Sequence, residues 1–128
     1  MAVVAGVCVM SVAAAAGQAP QKTTNDGVYT AAQAERGKKT FSNNCTSCHD
    51  SARFSGETFN DAWLGKPMKE IWDVASGTMP EDNPGSLKQQ EYADILAYFL
   101  SLNEYPAGDS ELAANAGAMA NIKIEKKK

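Results

Sequence analysis

The pentapeptide Cys45-Thr46-Ser47-Cys48-His49 constrains this chain more than any other stretch. Two cysteines separated by two residues and followed at once by histidine have the spacing of a c-type haem attachment site. On a helical turn, residues three and four apart share a face, so Cys45, Cys48 and His49 can all address one planar ligand. The two thiols can add to porphyrin vinyl groups as thioethers, and the imidazole then reaches the iron as the proximal axial ligand. Competing uses of these residues fit less well. A structural zinc centre is closed by four ligands, whereas the chain has a single histidine and only Cys8 as a third thiol. A redox pair of the thioredoxin kind belongs beside alternating strands and helices, and no run of β-branched residues suggests strands here. A plain disulfide across so short a loop would be strained and leaves His49 without a task. One covalently attached haem c employs all three side chains.

Residues Met1 to Ala19 carry no charged side chain and form an apolar, alanine-rich run that ends in small residues. This is the pattern of a secretory signal peptide. It falls short of the roughly 20 strongly apolar residues needed to span a bilayer, so cleavage after Ala16 or Ala19 is expected, removing Cys8 with it. The mature protein is then expected in the periplasm, without a membrane span. The remaining organisation reads as a polar lead-in over 20–29, a haem domain over 30–103 and a C-terminal extension over 104–128 that ends in a basic tail. The formal net charge is -3. Because Lys123 to Lys128 contain four lysines against Glu125, the body is more acidic than the total. That balance disfavours nucleic-acid binding and favours electrostatic steering towards a basic patch on a partner protein. A core built from roughly 100 residues is marginal by surface-to-volume scaling. An apolar macrocycle at its centre would supply much of the missing buried area.

Hydrophobic periodicity and capping signals place three main helices. Thr30-Ala31-Ala32-Gln33 has the form of a capping box, and the helix it opens should run towards Asn43 or Asn44. Gly37 inside it would cost about 1 kcal/mol relative to alanine, so a close approach of another helix is expected there, with Phe41 on the same face. Lys66 to Gly77 reads as a short helix with Pro67 in its first turn and Gly77 as its stop. Ile71, Val74 and Ala75 are expected to face inward, and Trp72 to cover a haem edge or lie partly exposed. Ser86-Leu87-Lys88-Gln89 has the form of a second capping box. The helix after it, ending near Asn103, carries Tyr92, Ile95, Leu96, Phe99 and Leu102 on one apolar stripe. After His49 the chain reads as irregular from Asp50 to Gly56, and Phe59, Trp63 and Leu64 then bring a cluster of large apolar groups, with Phe59 and Leu64 in core positions. Arg53 and Trp63 there carry donors suited to haem propionates, with a solvated surface position equally open to Arg53. Glu111 to Asn121 reads as a weak helix, and the lysine tail as a solvated, mobile end.

Beyond Gly77, Thr78-Met79-Pro80 sets a methionine in a constrained loop. About 30 positions separate it from His49, enough chain to cross from one face of a porphyrin to the other. A thioether completing a His/Met pair is a known haem arrangement, and Met79 is the candidate distal ligand. Met1 and Met10 lie in the leader, Met68 at a helix start and Met119 in an Ala-rich segment.

From roughly Tyr29 to Leu102 the chain resembles a monohaem class I cytochrome c. The likeness is carried in order by Gly37-Lys38-Lys39-Thr40-Phe41, Cys45-Thr46-Ser47-Cys48-His49, Gly77-Thr78-Met79-Pro80 and Ile95-Leu96-Ala97-Tyr98-Phe99. The resemblance implies an all-α fold, with three to four helices wrapped around one covalently attached haem. It also implies terminal helices crossing with Gly37 and Phe41 against Ile95 and Tyr98. Many members of that family carry a proline soon after the motif whose carbonyl bonds the proximal histidine. Here no proline occurs between His49 and Pro67, so the ring's partner is not evident. The implied function is single-electron transfer through an iron held by His49 and Met79. The alternative is a five-coordinate haem that acts as a gas sensor or peroxidase-like enzyme. More loosely, Met79 to Leu87 and Pro106-Ala107-Gly108 look like cytochromes that accompany quinoprotein dehydrogenases. That likeness implies such a dehydrogenase as electron donor and a terminal oxidase or another cytochrome as acceptor.

Overall fold

Gly37 and Asp94 bring the two longest helices into backbone contact. In the computed structural model, which describes residues 21–128, α1 spans Ala31–Asn44 and crosses the helix at Gln89–Leu102. A Cβ on Gly37 would overlap the carbonyl oxygen of Asp94. Beside this contact the half-exposed Arg36 guanidinium grips the buried Asp94 carboxylate with two bonds of 3.0 Å, and Gln90 Nε2 adds a third at 2.8 Å. Phe41 lies one turn beyond Gly37, packed edge-on against Phe99 with ring centroids 5.6 Å apart. Its ring also meets Tyr98, with centroids 5.7 Å apart, so the close approach expected at the glycine and the Phe41–Tyr98 contact implied by the resemblance are both present.

The elements between them differ in detail from the sequence reading. A single 3-10 turn, Ser51–Phe54, occupies the stretch read as irregular, and the helix α2, Gly56–Trp63, forms where the sequence shows a cluster of large apolar groups. No side chain caps the start of α2 locally. Its Gly56 N–H donates instead to Asn103 Oδ1 at 2.9 Å, a partner no local pattern could reveal. Phe59 is buried as expected, whereas Leu64 is 36 % exposed, because the chain turns outward at Gly65 with φ +82°. Helix α3, Met68–Thr78, starts after Pro67 and runs through Gly77. The stop is Met79-Pro80: Pro80 lacks an N–H, and Met79 before it is extended, the conformation favoured ahead of proline. Of the α3 residues expected inward, Ile71 is buried, and Val74 and Ala75 line the central cavity although Val74 is 46 % exposed; Trp72 is fully packed, edge-on to Tyr92. Helix α4, Gln89–Leu102, begins with Lys88 as its cap residue rather than Ser86, and Glu91 reaches back to accept from the Lys88 N–H at 2.8 Å.

The C-terminal extension is part of the fold rather than a mobile end. Ile122 and Lys123 form β2, paired in parallel with β1, Lys22–Thr23, in the register Lys22 to Ile122. Ile124 is completely buried and exchanges backbone bonds with the loop ahead of α3, through Gly65 and Lys66. The alternation Ile122-Lys123-Ile124 is a strand pattern, but its partner lies about a hundred residues away, so periodicity alone could not recruit it. Helix α5, Ala116–Ala120, buries Met119 against α3. Thr30 caps α1 through the Gln33 N–H at 3.1 Å, yet the Gln33 side chain does not close the capping box. It is fully buried and pairs with both the N–H and the carbonyl of Leu112, at 2.7 and 3.0 Å. Tyr29 donates to the Tyr105 carbonyl at 2.7 Å, and Tyr105 to the Glu125 carbonyl at 2.6 Å. Lys126 to Lys128 are exposed, yet the Asn25 side chain bonds the Lys126 carbonyl at 3.1 Å and the Lys128 N–H at 3.2 Å. The expected leader, residues 1–19, lies outside the described residues. Among those described, no helix is long and apolar enough to cross a membrane.

Two glycines should respond oppositely to alanine. Gly37→Ala forces the α1 and α4 backbones apart and is expected to cost about 1–3 kcal/mol or more. Gly77→Ala meets nothing within 4 Å and should stabilise α3 by about 0.4–1 kcal/mol. Urea unfolding of the two variants checks both. A second expectation concerns alkaline pH. Burial pushes the Tyr29 and Tyr105 hydroxyls above their ordinary 10.0, so between that value and the folded-state pKa the unfolded chain releases protons that the folded chain retains. Stability is then fully present below pH 10.0 and declines as pH rises through the folded-state values. A double Tyr29→Phe, Tyr105→Phe variant should be weaker at neutral pH and show a shallower alkaline decline in its urea midpoint.

Candidate functional site

The first wall of the site begins where α1 ends. Cys45 is the C-cap of α1, and its carbonyl accepts from the N–H groups of both Cys48, at 3.1 Å, and His49, at 2.9 Å. This extra turn carries the three side chains to one side, as their spacing required. Burial pushes the free Cys45 thiol up, with a smaller push from Cys48. The His49 ring packs edge-on against Phe54 with centroids 5.6 Å apart, and Phe54 is stacked on Phe99 at 4.2 Å with the rings nearly parallel. Asn103 Nδ2 holds the Phe54 carbonyl at 2.9 Å. An aromatic column rooted in α4 thus fixes the histidine plane.

The opposite wall is the end of α3 and the loop after it. The Met79 N–H caps α3 on the Ala75 carbonyl at 3.2 Å. Its own carbonyl accepts from the Gly85 N–H at 3.1 Å and from the Tyr92 hydroxyl at 2.7 Å. The Met79-Pro80 peptide is cis.

Between the walls lies a cavity of about 640 Å³, within the roughly 300–1,000 Å³ typical of cofactor sites. Cys45, Cys48, His49 and Met79 all line it, and its depth is apolar, formed by Phe54, Ile71, Ile95 and Phe99. Met68 and Met119, the other methionines of the described residues, are 1 % and 0 % exposed in the core and do not reach it. Arg53 and Trp63, singled out for their donors, both line it; Trp63 is half-buried, with Lys66 Nζ 5.3 Å above its ring. Trp72 does not line the cavity. Glu81 and Asp82 stand exposed at its rim.

The donor set can be tested against haem c. His49 Nδ1 is buried with no hydrogen-bond partner, the one such side-chain atom among the described residues. No backbone carbonyl takes the place of the proline that the sequence lacks after the motif. The imidazole is therefore oriented by packing on Phe54 and by the Cys45 turn. Two thiols, an imidazole and a thioether facing one largely apolar cavity fit a covalently held, axially ligated haem. Asn103 and Tyr92 escaped the sequence reading as parts of this site. Asn103 looks only like a helix end, and Tyr92 only like one member of an apolar stripe.

Helices folded around a cavity with this donor set define a haem-holding, electron-carrying domain of the class I c-type cytochrome kind. Residues 32–99 match the family model of cytochrome c oxidase, cbb3-type, subunit III. The match covers more than half of the 128 residues, and the chain belongs to this family. It is accordingly a monohaem cytochrome c domain that holds haem c covalently and works with redox protein partners. A search of curated proteins and a search of solved structures each returned no match.

Proposed function

We propose that the protein is a periplasmic electron carrier whose haem is held by Cys45 and Cys48 through thioethers and whose iron is ligated by His49 and Met79. The observation that carries this reading is the convergence of those four side chains on one cavity, with Met79 the sole methionine of the described residues on its lining. When bound, haem c supplies one-electron chemistry between ferric and ferrous iron. The residues do the rest. Cys45 and Cys48 anchor the ring at the end of α1, His49 is held in plane by Phe54, and Met79 approaches from the loop that Tyr92 and Gly85 tie down. A soft thioether favours the reduced metal and raises the potential. Ile71, Ile95 and Phe99 exclude water from the depth of the cavity.

The periplasmic location rests on the leader pattern of residues 1–19. A quinoprotein dehydrogenase is the proposed donor, on the likeness of Met79 to Leu87 and of Pro106-Ala107-Gly108 to cytochromes that accompany such enzymes. A terminal oxidase or another cytochrome is the proposed acceptor, and the description of the matching family favours the oxidase. The five-coordinate alternative, a gas sensor or peroxidase-like enzyme, has no observation in its favour. His49 is the only histidine of the chain, which leaves no second imidazole to act as a distal acid or base.

Changing Met79 to Ala in the haem-loaded protein should abolish the weak far-red band of methionine-ligated ferric haem, lower the reduction potential and let carbon monoxide bind the reduced form. An unchanged spectrum would remove Met79 from the coordination sphere, and carbon monoxide binding by the unmodified protein would favour the open-iron alternative. The exposed Glu81 and Asp82 bring the acidic body to the cavity rim, so electron transfer to a basic partner cytochrome should slow as salt is raised. A Glu81→Gln, Asp82→Asn variant should show a weaker dependence in stopped-flow measurements.

A further inference from the structure

We infer that Tyr92 is the positioning residue for Met79, holding the ligand loop through the peptide rather than through the sulfur. The inference rests on the reading of Met79 as a ligand. Tyr92 is 1 % exposed, belongs to the first turn of α4 and lines the cavity. Its hydroxyl donates to the Met79 carbonyl at 2.7 Å, and the Leu87 N–H donates to that hydroxyl's own oxygen at 3.4 Å. One hydroxyl therefore touches both ends of the segment from Met79 to Leu87. The ring is locked from the side by Trp72, edge-on at 6.4 Å, so the hydroxyl has a fixed origin.

The rest of that segment has little else to hold it. Glu81 to Ser86 are all exposed, and their internal backbone bonds, Asn83 to Pro80 and Ser86 to Asn83, close turns without reaching α4. The Gly85 N–H bond to Met79 likewise stays inside the loop. Tyr92 is the hydrogen bond that ties this loop to the helix carrying the aromatic column beneath His49. Through it, one helix sets the positions of both walls. Without the hydroxyl, Met79 keeps its helix cap and its loop bond but loses its link to α4, and displacement of its sulfur by another ligand becomes easier.

The test compares the haem-loaded, oxidised wild-type protein with Tyr92→Phe and Tyr29→Phe, titrating each with imidazole and recording the far-red band and thermal midpoint. Phe at 92 keeps the ring packing. Tyr29 makes a hydroxyl-to-carbonyl bond of the same 2.7 Å length at the C-terminal extension, and so controls for a general loss of stability. Tyr92→Phe should bind imidazole about threefold to tenfold more tightly than wild type, the equivalent of one lost hydrogen bond. Tyr29→Phe should leave that affinity unchanged while lowering the midpoint. Equal imidazole affinity in wild type and Tyr92→Phe overturns the inference, as does an equal rise in Tyr29→Phe. Absence of the methionine band in wild type overturns the ligand reading itself, and is recognised before any variant is made.

Discussion

The contact of Gly37 with the Asp94 carbonyl is the constraint on which the rest of this molecule depends. Two helices can touch backbone to backbone only where one of them lacks a side chain, and the separation set there is inherited by everything around it. It brings Phe41 and Phe99 to contact distance, which in turn positions Phe54 and, through it, the imidazole of His49. The Arg36 fork on Asp94 fixes the rotation of the helices about that point. The partly exposed ion pair is worth little as attraction alone, but Asp94 is nearly buried, and three donors satisfy it where an unpaired carboxylate would be costly.

The two walls of the cavity are built differently. The histidine wall is a rigid turn continuous with α1 and supported by stacked rings. The methionine wall is an exposed loop at the end of α3, held at its root by Tyr92. Helix α3 is braced at its other end, since Ile124 bonds to Lys66 just ahead of it and Met119 packs against it. The C-terminal extension thus lies far along the chain from the site yet sets the direction in which α3 delivers Met79. A domain of this size has few apolar groups to spare, which is why a stretch with an unpromising sequence contributes Leu112, Met119, Ile122 and Ile124 to the core.

Legibility in the sequence followed the range of the interaction. Gly37, Phe41 and the apolar stripe of α4 were readable, because helical spacing states which residues share a face. The placement of Met79 at the cavity was readable because Pro80 marks a helix end and the other methionines had poorer settings. The start of α2 was not, since its cap comes from Asn103. Trp72 and Leu64 were each assigned the wrong side, because an amphipathic residue and a lone leucine beside a turn carry no directional signal of their own. Gln33 satisfied a capping pattern, but the buried carbonyl and N–H of Leu112 offered it a stronger pair of bonds than the helix end did.

By itself the sequence determined the chemistry: the attachment motif, the class of cofactor it implies and the main helices, which depend on residues within a few turns of one another. It also offered a candidate axial pair, drawn from that motif and a Met-Pro loop far along the chain. The tertiary structure alone decided how the walls are held. Packing left the His49 Nδ1 without a partner, and the Tyr92 bond to the Met79 carbonyl and the pairing of β1 with β2 join groups that no local period relates. Their bonds exist only once the chain has closed on itself and water has been removed from around them, when a buried donor or acceptor must find whichever partner the packing brings within reach.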